Sequence, residues 1–599
     1  MGAVSWREKF RYRFDNFMSK GTIALIGGLA ALSVVVILLA AIILTIGGLA
    51  LAPEGSTERL AFLEAAWQSL MRTMDAGTMG GDEGWGYRIV MFVLPTLGGV
   101  FIISTLIGVL TSGVEGLLDE LRKGRSRVIE DGHTVILGWS PQVFQIISEL
   151  VEANSNKSDS CIVVMGDKDK VEMEDEIRDK VGPTRKTRVV CRTGNPLDLV
   201  DLEIVSPHTA RAIVVLSPES EDPDSSVIKT ILAITNNPCR HPEPYHIVAE
   251  IHDPKNMEAA RLVGGTEAEL VLVGDLIARI IAQTCRQSGL SVVYTELLDF
   301  GGDEIYFKDE PALVGKTYGE TLSMYEDSAV IGLYFADNHV QLNPPMDTRL
   351  KAGDKIIAVS EDDDTIKLSG KTDLRVKASA IHEGAPAPVE PERTLILGWN
   401  WRAATIIREL DNYVAPGSMI AVAADLPEEP SEIAELHTCL RNQVLEYTPG
   451  DTTERNLLDR MHPESFKHII VLSYADTLDP QRADARTLIT LLHLRNMADQ
   501  FSQDFSIVSE MLDVRNRALA EVTRADDFIV SEKLVGLMLS QIAENKALNA
   551  VFADMFDPDG SEVYVKPASN YITPGETVNF YTVVEAARRR GETAFGCKL

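Results

Sequence analysis

The chain has 599 residues, too many for one domain, and length alone suggests about four units. It carries 88 acidic against 57 basic residues, a net charge of −31, which excludes nucleic acid as the main partner and fits a solvated surface that attracts cations. The six cysteines (Cys161, Cys191, Cys239, Cys285, Cys439, Cys597) include no C-x-x-C pair, so they read as reduced thiols in a cytosolic body, not a disulfide frame or a zinc site.

Within residues 1–20, Trp6, Phe10, Phe14, Phe17 and Met18 recur at helical spacing among Arg and Lys. This segment reads as an amphipathic helix on the inner membrane surface, or else as a plain extension of the span that follows. Residues 21–53 hold no charge and exceed the ~20 residues that cross hydrocarbon. A second uncharged run lies between Arg88 and Glu115, and the second transmembrane helix is expected over residues 88–115. Arg7, Lys9, Arg11, Arg13 and Lys20 precede the first run, and Arg122, Lys123, Arg125 and Arg127 follow the second. The intervening residues 54–87 carry Glu54, Glu58, Glu64, Asp75, Asp82 and Glu83. The positive-inside rule places both termini in the cytosol and makes the chain an integral membrane protein.

Between the spans, Leu60, Leu63, Ala66, Trp67, Leu70 and Met71 form a helix-period stripe that Ser56 or Thr57 can cap. The helix is too short and too charged to span, but it can dip into the bilayer when buried among protein segments. Thr73, Met74, Asp75, Ala76 and Gly77 follow. A span, a re-entrant helix, a Thr/Gly-rich strand and a second span form the layout of a tetrameric cation-channel pore. There, backbone carbonyls and the Asp75 carboxylate replace water around the ion. Against the potassium-filter pattern T-V-G-Y-G, Thr73 and Gly77 match, Asp75 falls at the middle glycine and Ala76 at the tyrosine. A ring of Asp75 carboxylates favours cations generally and divalent ones more strongly; the competing reading makes Asp75 a capping residue outside the ion path. Gly98 and Gly99 read either as a gate hinge or as close-packing positions. Leu106, Val109 and Leu110 read as a hydrophobic constriction, and residues 116–131 as a gating linker.

The rest of the chain is duplicated. His133–Ser140 and Arg393–Asn400 each run from an apolar strand into a Gly-Trp turn, Gly138 and Gly398 standing 260 residues apart, as do Glu250 and Glu510. Strands recur in step between these landmarks, implying two parallel-sheet Rossmann-like domains at 132–298 and 393–556. A small unit at 299–377 reads as strand, helix, strand and a hairpin closing at Gly353-Asp354. A Pro/Ala-rich linker spans 378–392. A second small unit at 557–599 has no counterpart of that hairpin, which would fall past Leu599.

Three ligand chemistries can be placed on this frame. For a nucleotide, Gly138 and Gly398 supply the first glycine, but Ser140 and Asn400 stand where a second glycine admits a pyrophosphate. Asp167 and Asp425 follow 29 and 27 residues later, beyond the usual ribose spacing. The candidates are Gly138, Ser140, Gly398 and Asp425, against a purely structural turn. For calcium, Asp167, Asp169, Glu172 and Asp175 form one oxygen-rich cluster and Glu219, Glu221, Asp222 and Asp224 another, against solvated acidic loops. For catalysis, no acid, base or nucleophile is identifiable in a pocket, so no enzyme is expected.

Met74-Asp75-Ala76-Gly77, Leu137-Gly138-Trp139-Ser140 and Leu397-Gly398-Trp399 resemble the regulator-of-potassium-conductance (RCK) channels. More closely they resemble the CASTOR/POLLUX ion channels of plants and their bacterial relatives, from residue 21 to the end. The resemblance implies a two-transmembrane-helix tetrameric pore domain plus an α/β cytosolic body of two tandem Rossmann-like RCK domains. It implies a homotetramer in the lipid bilayer of a bacterial plasma membrane, with eight RCK units in a gating ring. Calcium is the expected gating ligand and a permeant ion beside potassium or sodium. In calcium-gated RCK domains a carboxylate pair ends the fifth strand; here Glu250 and Glu510 match its first member, while His252 and Leu512 stand at the second. The alternative is a membrane-anchored nucleotide-sensing regulatory subunit of a cation transport system.

Overall fold

A computed structural model describes residues 22–51, 53, 60–122, 124–157, 159–220, 222–382, 390–501, 506–523, 525–558 and 560–598. It divides at Gly124 into a smaller and a larger compact unit. The expected amphipathic segment 1–20 and the caps Ser56 and Thr57 lie outside the described residues.

In the smaller unit, α1 (Thr22–Gly47) is apolar on all sides and ends in a 3-10 turn, Gly48–Leu51. The helix expected to be re-entrant, α2, is Phe62–Met74, shorter at its start than the sequence pattern implies, with Ala61 at the N-cap and no side-chain cap. A 3-10 turn, Ala76–Gly81, leads to α3 (Trp85–Met91), a π turn (Phe92–Thr96) and α4 (Leu97–Arg122). Leu25–Gly47 and Trp85–Gly116 are long and apolar enough to cross a membrane. The helix therefore runs on through the first half of the expected linker at 116–131.

One expectation is corrected below. The face of α2 buried within the chain is Ala65, Ser69 and Thr73; of the larger stripe, Leu60 and Ala66 pack beside it, while Leu63, Trp67 and Met71 are exposed. Small side chains let helix backbones approach closely, and the Ser69 and Thr73 hydroxyls satisfy themselves on Ala65 O and Ser69 O, each at 2.8 Å. The residues after α2 form a turn, not a strand. The Asp75 carboxylate accepts from Gly77 N at 2.8 Å and the Thr78 hydroxyl donates to Asp75 O at 2.7 Å, so local side-chain bonds curl the segment.

In the larger unit, the first copy contains β1 (Thr134–Leu137), α5 (Gln142–Ala153), β2 (Cys161–Gly166), α6 (Lys170–Lys180), β3 (Arg188–Thr193), β4 (Ala212–Val215), α7 (Pro223–Thr235), β5 (Ile247–Ile251) and β6 (Ala268–Leu272). All six strands are parallel, in the order β3-β2-β1-β4-β5-β6. Helices α9 and α10 complete the copy, with α8 (Met257–Gly264) before β6, α9 at Val273–Arg286 and α10 at Leu290–Leu298. A four-stranded antiparallel sheet follows from β7 (Glu304–Lys308), β8 (Ser328–Tyr334), β9 (Val340–Leu342) and β10 (Lys355–Ser360), ordered β7-β10-β8-β9. The tight hairpin joins β8 to β9 through Asn338, in the left-handed region at φ 67°. Gly353-Asp354 does not close the expected hairpin; it turns the chain into the central strand β10, which pairs with β7 and β8.

The second copy repeats the parallel sheet. Its elements are β11 (Arg393–Leu397), α11 (Ala403–Tyr413), β12 (Ser418–Ala424), α12 (Ser431–Cys439), β13 (Gln443–Pro449), β14 (His468–Val471), α13 (Pro480–Phe501), β15 (Ser506–Met511), β16 (Asp527–Val530), α14 (Ser531–Glu544) and α15 (Leu548–Phe556). The strand order, β13-β12-β11-β14-β15-β16, is that of the first copy. Both sheets are buried on two faces, which is why their strands read as unbroken apolar runs.

The copies exchange the helices that directly follow their last sheet strands. α9, which follows the first sheet, packs on α11, β14 and β15 of the second; α14, which follows the second, packs on α5, β4 and β5 of the first. One apolar core therefore runs through both. Ion pairs lock the exchange: Arg211 grips Glu544 at the end of α14, and Arg286 reaches Glu392 at 3.2 Å. The second small unit builds no sheet among its described residues. The segment instead lies against the first small unit. Asp554 and Ser561 bond the edge strand β9 at Leu342 (2.7 and 2.8 Å), and Val584 of α16 (Phe580–Arg588) joins the core under β8 and β10.

Candidate functional site

At the turn after α2, Thr73 and Met74 lie in the last helical turn, and Asp75 is extended and exposed at the C-terminal end. The helix dipole and the Asp75 carboxylate thus place negative charge at one point, which suits a cation. Gly77 and the backbone of Ala76 belong to the turn that Asp75 caps. The capping role and an ion-facing role are compatible, because Gly77 N engages Oδ1 of an exposed carboxylate.

The glycine pair is a packing device. A Cβ on Gly98 would lie 3.2 Å from Val36 of α1, and one on Gly99 only 2.7 Å from Thr73 O of α2. The break in the second span falls instead at Phe92–Thr96, where Pro95 cannot donate to the Met91 carbonyl and the Thr96 hydroxyl does so at 2.9 Å. Leu106 and Val109 are half-buried and Leu110 exposed on α4. Sequence reasoning missed a buried polar group behind the turn: Arg72 on Asp82, with Gln68 and Tyr87 around them. Its signal was an arginine in a segment expected to dip into the membrane, where a charge needs a partner.

In the body, both signature glycines have a steric reason. Gly138 and Gly398 adopt φ 107° and 100°, and a Cβ would lie 2.9 Å from Leu216 O and 2.3 Å from Leu472 O. Each opens a cleft at the carboxyl ends of β1 and β4, or β11 and β14, where the strand order reverses. The clefts differ. In the second, Arg486 bonds both Asp425 (2.8 Å) and Asp451 (2.7 Å) and lies 4.7 Å over the Tyr474 ring, filling the space. Asn400 is turned inward onto Ser473 O and Glu510. In the first, Ser226 and Pro218 occupy the positions of Arg486 and Tyr474, leaving a cavity of about 700 Å³ beside Gly138, Ser140, Asp167 and Lys168.

The calcium candidates separate into different tasks. Asp169 caps α6, Asp222 caps α7, and Asp175 pairs with Arg178 at 2.7 Å. Glu172 and Glu219 are exposed, Asp167 borders the first cleft, and Glu221 lies outside the described residues. Asp224 is buried and accepts from His252 N, Asp253 N and the Asn256 amide at 2.8–2.9 Å; Asp484 repeats this on Leu512 N, Asp513 N and Asn516. No group of three or more His, Cys, Asp or Glu side chains is arranged to hold a metal ion among the described residues.

Glu250 and Glu510 occupy equivalent buried positions with opposite electrostatics. Glu510 is paired with Arg402 and accepts from Asn400 and Ser531. Glu250 is fully buried, accepts from Ser217 N, and burial pushes its carboxyl up to about 8. Nearby His252 stacks on Trp401 of the second copy, ring centroids 5.7 Å apart.

Comparisons with known proteins match this layout. Residues 274–376 match the family described as "Castor and Pollux, part of voltage-gated ion channel", and residues 130–244 the "Calcium-activated potassium channel slowpoke-like RCK domain". The chain is 31% identical to "Probable ion channel CASTOR" of Oryza sativa subsp. japonica, covering 100% of this chain and 69% of that protein. It is 30% identical to "Ion channel CASTOR" of Lotus japonicus, covering 100% and 72%. The human SLO3 gating ring shares the fold of the body, with a TM-score of 0.50 at 14% identity over 71% of this chain and 85% of that one.

Proposed function

The chain belongs to the CASTOR/POLLUX family of ion channels and carries an RCK gating-ring body, and from that premise we propose that it forms a homotetrameric cation channel opened by a ligand of its cytosolic body. The observation that carries the reading is the pore turn, where α2 ends in an exposed Asp75 between two spans of one chain. Four such carboxylates around an axis would replace lost hydration of calcium as well as of potassium or sodium. The basic flanks put both ends and the body in the cytosol. Calcium remains the proposed gating ligand, and the body would act on α4 through the chain between Gly116 and Asp131. The relatives are named ion channels along the whole chain, which favours this reading over a non-conducting regulatory subunit or an enzyme.

A second ligand class is favoured by one observation. The first cleft is open, with Asp167 and Lys168 at its rim, whereas the second is filled by Arg486. A nucleotide sensed by the body would therefore enter the first copy alone.

Bilayer recording of the purified chain in mixed calcium and potassium tests the main reading. We expect cation currents whose calcium permeation or block weakens in Asp75→Asn. Absence of cation current under any calcium or nucleotide condition would reject it, and unchanged reversal potential and block in Asp75→Asn would remove Asp75 from the path.

A further inference from the structure

Arg72 stands in the last turn of α2, one residue before Thr73, where an uncompensated positive charge would repel the cations the pore is to pass. It is not left uncompensated. Its Nε donates to Asp82 Oδ2 at 3.0 Å, its Nη2 to Oδ1, and its Nη1 to Gln68 O at 3.0 Å. The two side chains are 11% and 4% exposed. The guanidinium lies 5.4 Å from the centre of the Tyr87 ring, itself 1% exposed, and the Tyr87 hydroxyl donates to Gln68 Oε1. From the other side, Arg88 Nε donates to the Asp82 carbonyl at 2.6 Å.

Asp82 is the residue on which the turn Ala76–Gly81 closes. It is held by α2 through Arg72 and by α3 through Arg88. The turn between contains Gly77, Gly80 and Gly81, with nothing within 4 Å of a Cβ on the last two. Glycine backbone is permissive, so the shape of this segment depends on its ends. A side-on arginine–carboxylate fork fixes orientation as well as distance, which a lysine point charge does not.

We propose that the Arg72–Asp82 ion pair is the positioning clamp of the ion path. It holds the two ends of the turn Asp75–Gly81 together and cancels the guanidinium charge, leaving Asp75 as the carboxylate that a passing cation meets. The proposal rests on the reading that this turn lines the path. Arg72 and Asp82 are positioning residues, not ion ligands.

The test records the full chain in planar bilayers with mixed calcium and potassium, comparing wild type, Asp75→Asn, Arg72→Gln, Asp82→Asn and the exchange Arg72→Asp with Asp82→Arg. A role confined to folding would lower the number of channels without moving the permeability ratio. We expect each single clamp variant to change the calcium-to-potassium permeability ratio about threefold or more and to shorten openings, and the exchange to return both toward wild type. If Asp75→Asn moves the ratio while both single clamp variants keep it, the clamp is overturned and the ion-path reading stands. If Asp75→Asn also leaves the ratio unchanged, the ion-path reading falls and the clamp with it. Where a single variant does not assemble, the exchange decides: conduction with the wild-type ratio supports the pairing, and a lost or altered ratio overturns it.

Discussion

Arg402 and Glu510 form an ion pair sealed inside the second RCK copy, their side chains 7% and 0% exposed, whereas the first copy sets Gln142 and an uncompensated Glu250 at the same two places. The pair is fixed by Asn400, Ser473 N and Ser531, so the Glu510 lone pairs are well used. Removing one member of such a pair leaves a buried charge, costing about 3–5 kcal/mol, while replacing both by apolar groups costs far less. Arg402→Met should therefore lower the thermal midpoint of the full chain in detergent sharply. The double variant Arg402→Met with Glu510→Leu should recover most of the loss. The Gln142 side chain accepts from the Ser140 hydroxyl, and Gln142→Met should stay within about 1 kcal/mol of wild type.

The exchanged helix α14 carries or faces a ring of carboxyls displaced by burial. Glu532 on its first turn is pushed up to about 7; Glu149 on α5 and Glu304 on β7, which flank it, also to about 7; and Glu250 to about 8. Each folded value lies above the ordinary 4.5, so the folded chain holds protons that the unfolded chain releases. Their contribution is fully present below that ordinary value and is lost as pH rises through 7 to 8. Glu392 runs the other way. Burial raises it, but His468, Lys467 and Arg286 overcome this and hold it at about 2, so its contribution disappears only as pH falls below the ordinary range. The thermal midpoint should thus climb as pH is lowered from 8.5 toward 5, by up to about 1.4 kcal/mol per pH unit for the fully buried Glu250. Glu250→Gln should flatten the profile; an equal slope in that variant would show that Glu250 does not titrate with folding.

The duplication, the parallel sheets and the two spans were legible because each leaves a local pattern: unbroken apolar strands, a glycine at φ near 100° barred by a carbonyl, uncharged runs between basic flanks. The helix exchange was not legible. The strong apolar faces of α9 and α14 say that each is buried, but not against which of two similar sheets. The turn at Asp75 was hidden because the segment's Thr and Gly content suits a strand equally well, and the outcome hangs on one carboxylate reaching Gly77 N. The acidic runs looked alike in sequence, yet Asp224 is fastened to a loop 28 residues away while Glu219 is free to solvent.

If a nucleotide stabilises the protein, the asymmetry of the clefts determines where. Ser226 of the first copy stands at the position of Arg486, whose side chain fills the second cleft between Asp425 and Asp451. Ser226→Arg should place a guanidinium beside Asp167 and abolish any shift of the thermal midpoint produced by ADP or NAD. Arg486→Ser should not abolish that shift, because the first cleft is untouched. At a hundredfold excess over Kd the shift in wild type corresponds to about 2.7 kcal/mol, well within reach of the measurement. A shift that survives Ser226→Arg would place the ligand elsewhere.

Gly99 sets the distance between α4 and the C-terminal end of α2. A Cβ there would meet Thr73 O at 2.7 Å and Thr73 Cα at 2.9 Å, both backbone atoms that cannot swing aside. The added methyl must push α2 away from α4, and overpacking of this kind costs about 1–3 kcal/mol. Because Thr73 is two residues before Asp75, the displacement acts on the pore turn itself. Gly99→Ala should therefore reduce single-channel conductance or shift the reversal potential in mixed calcium and potassium. Gly108, on the same helix, has nothing within 4 Å of its own Cβ and serves as the control. Gly108→Ala removes the same backbone freedom from α4 without touching α2, so it distinguishes a hinge from a spacer. Wild-type currents in Gly108→Ala beside altered ones in Gly99→Ala would identify contact as the cause, and equal effects from both would point to helix flexibility instead.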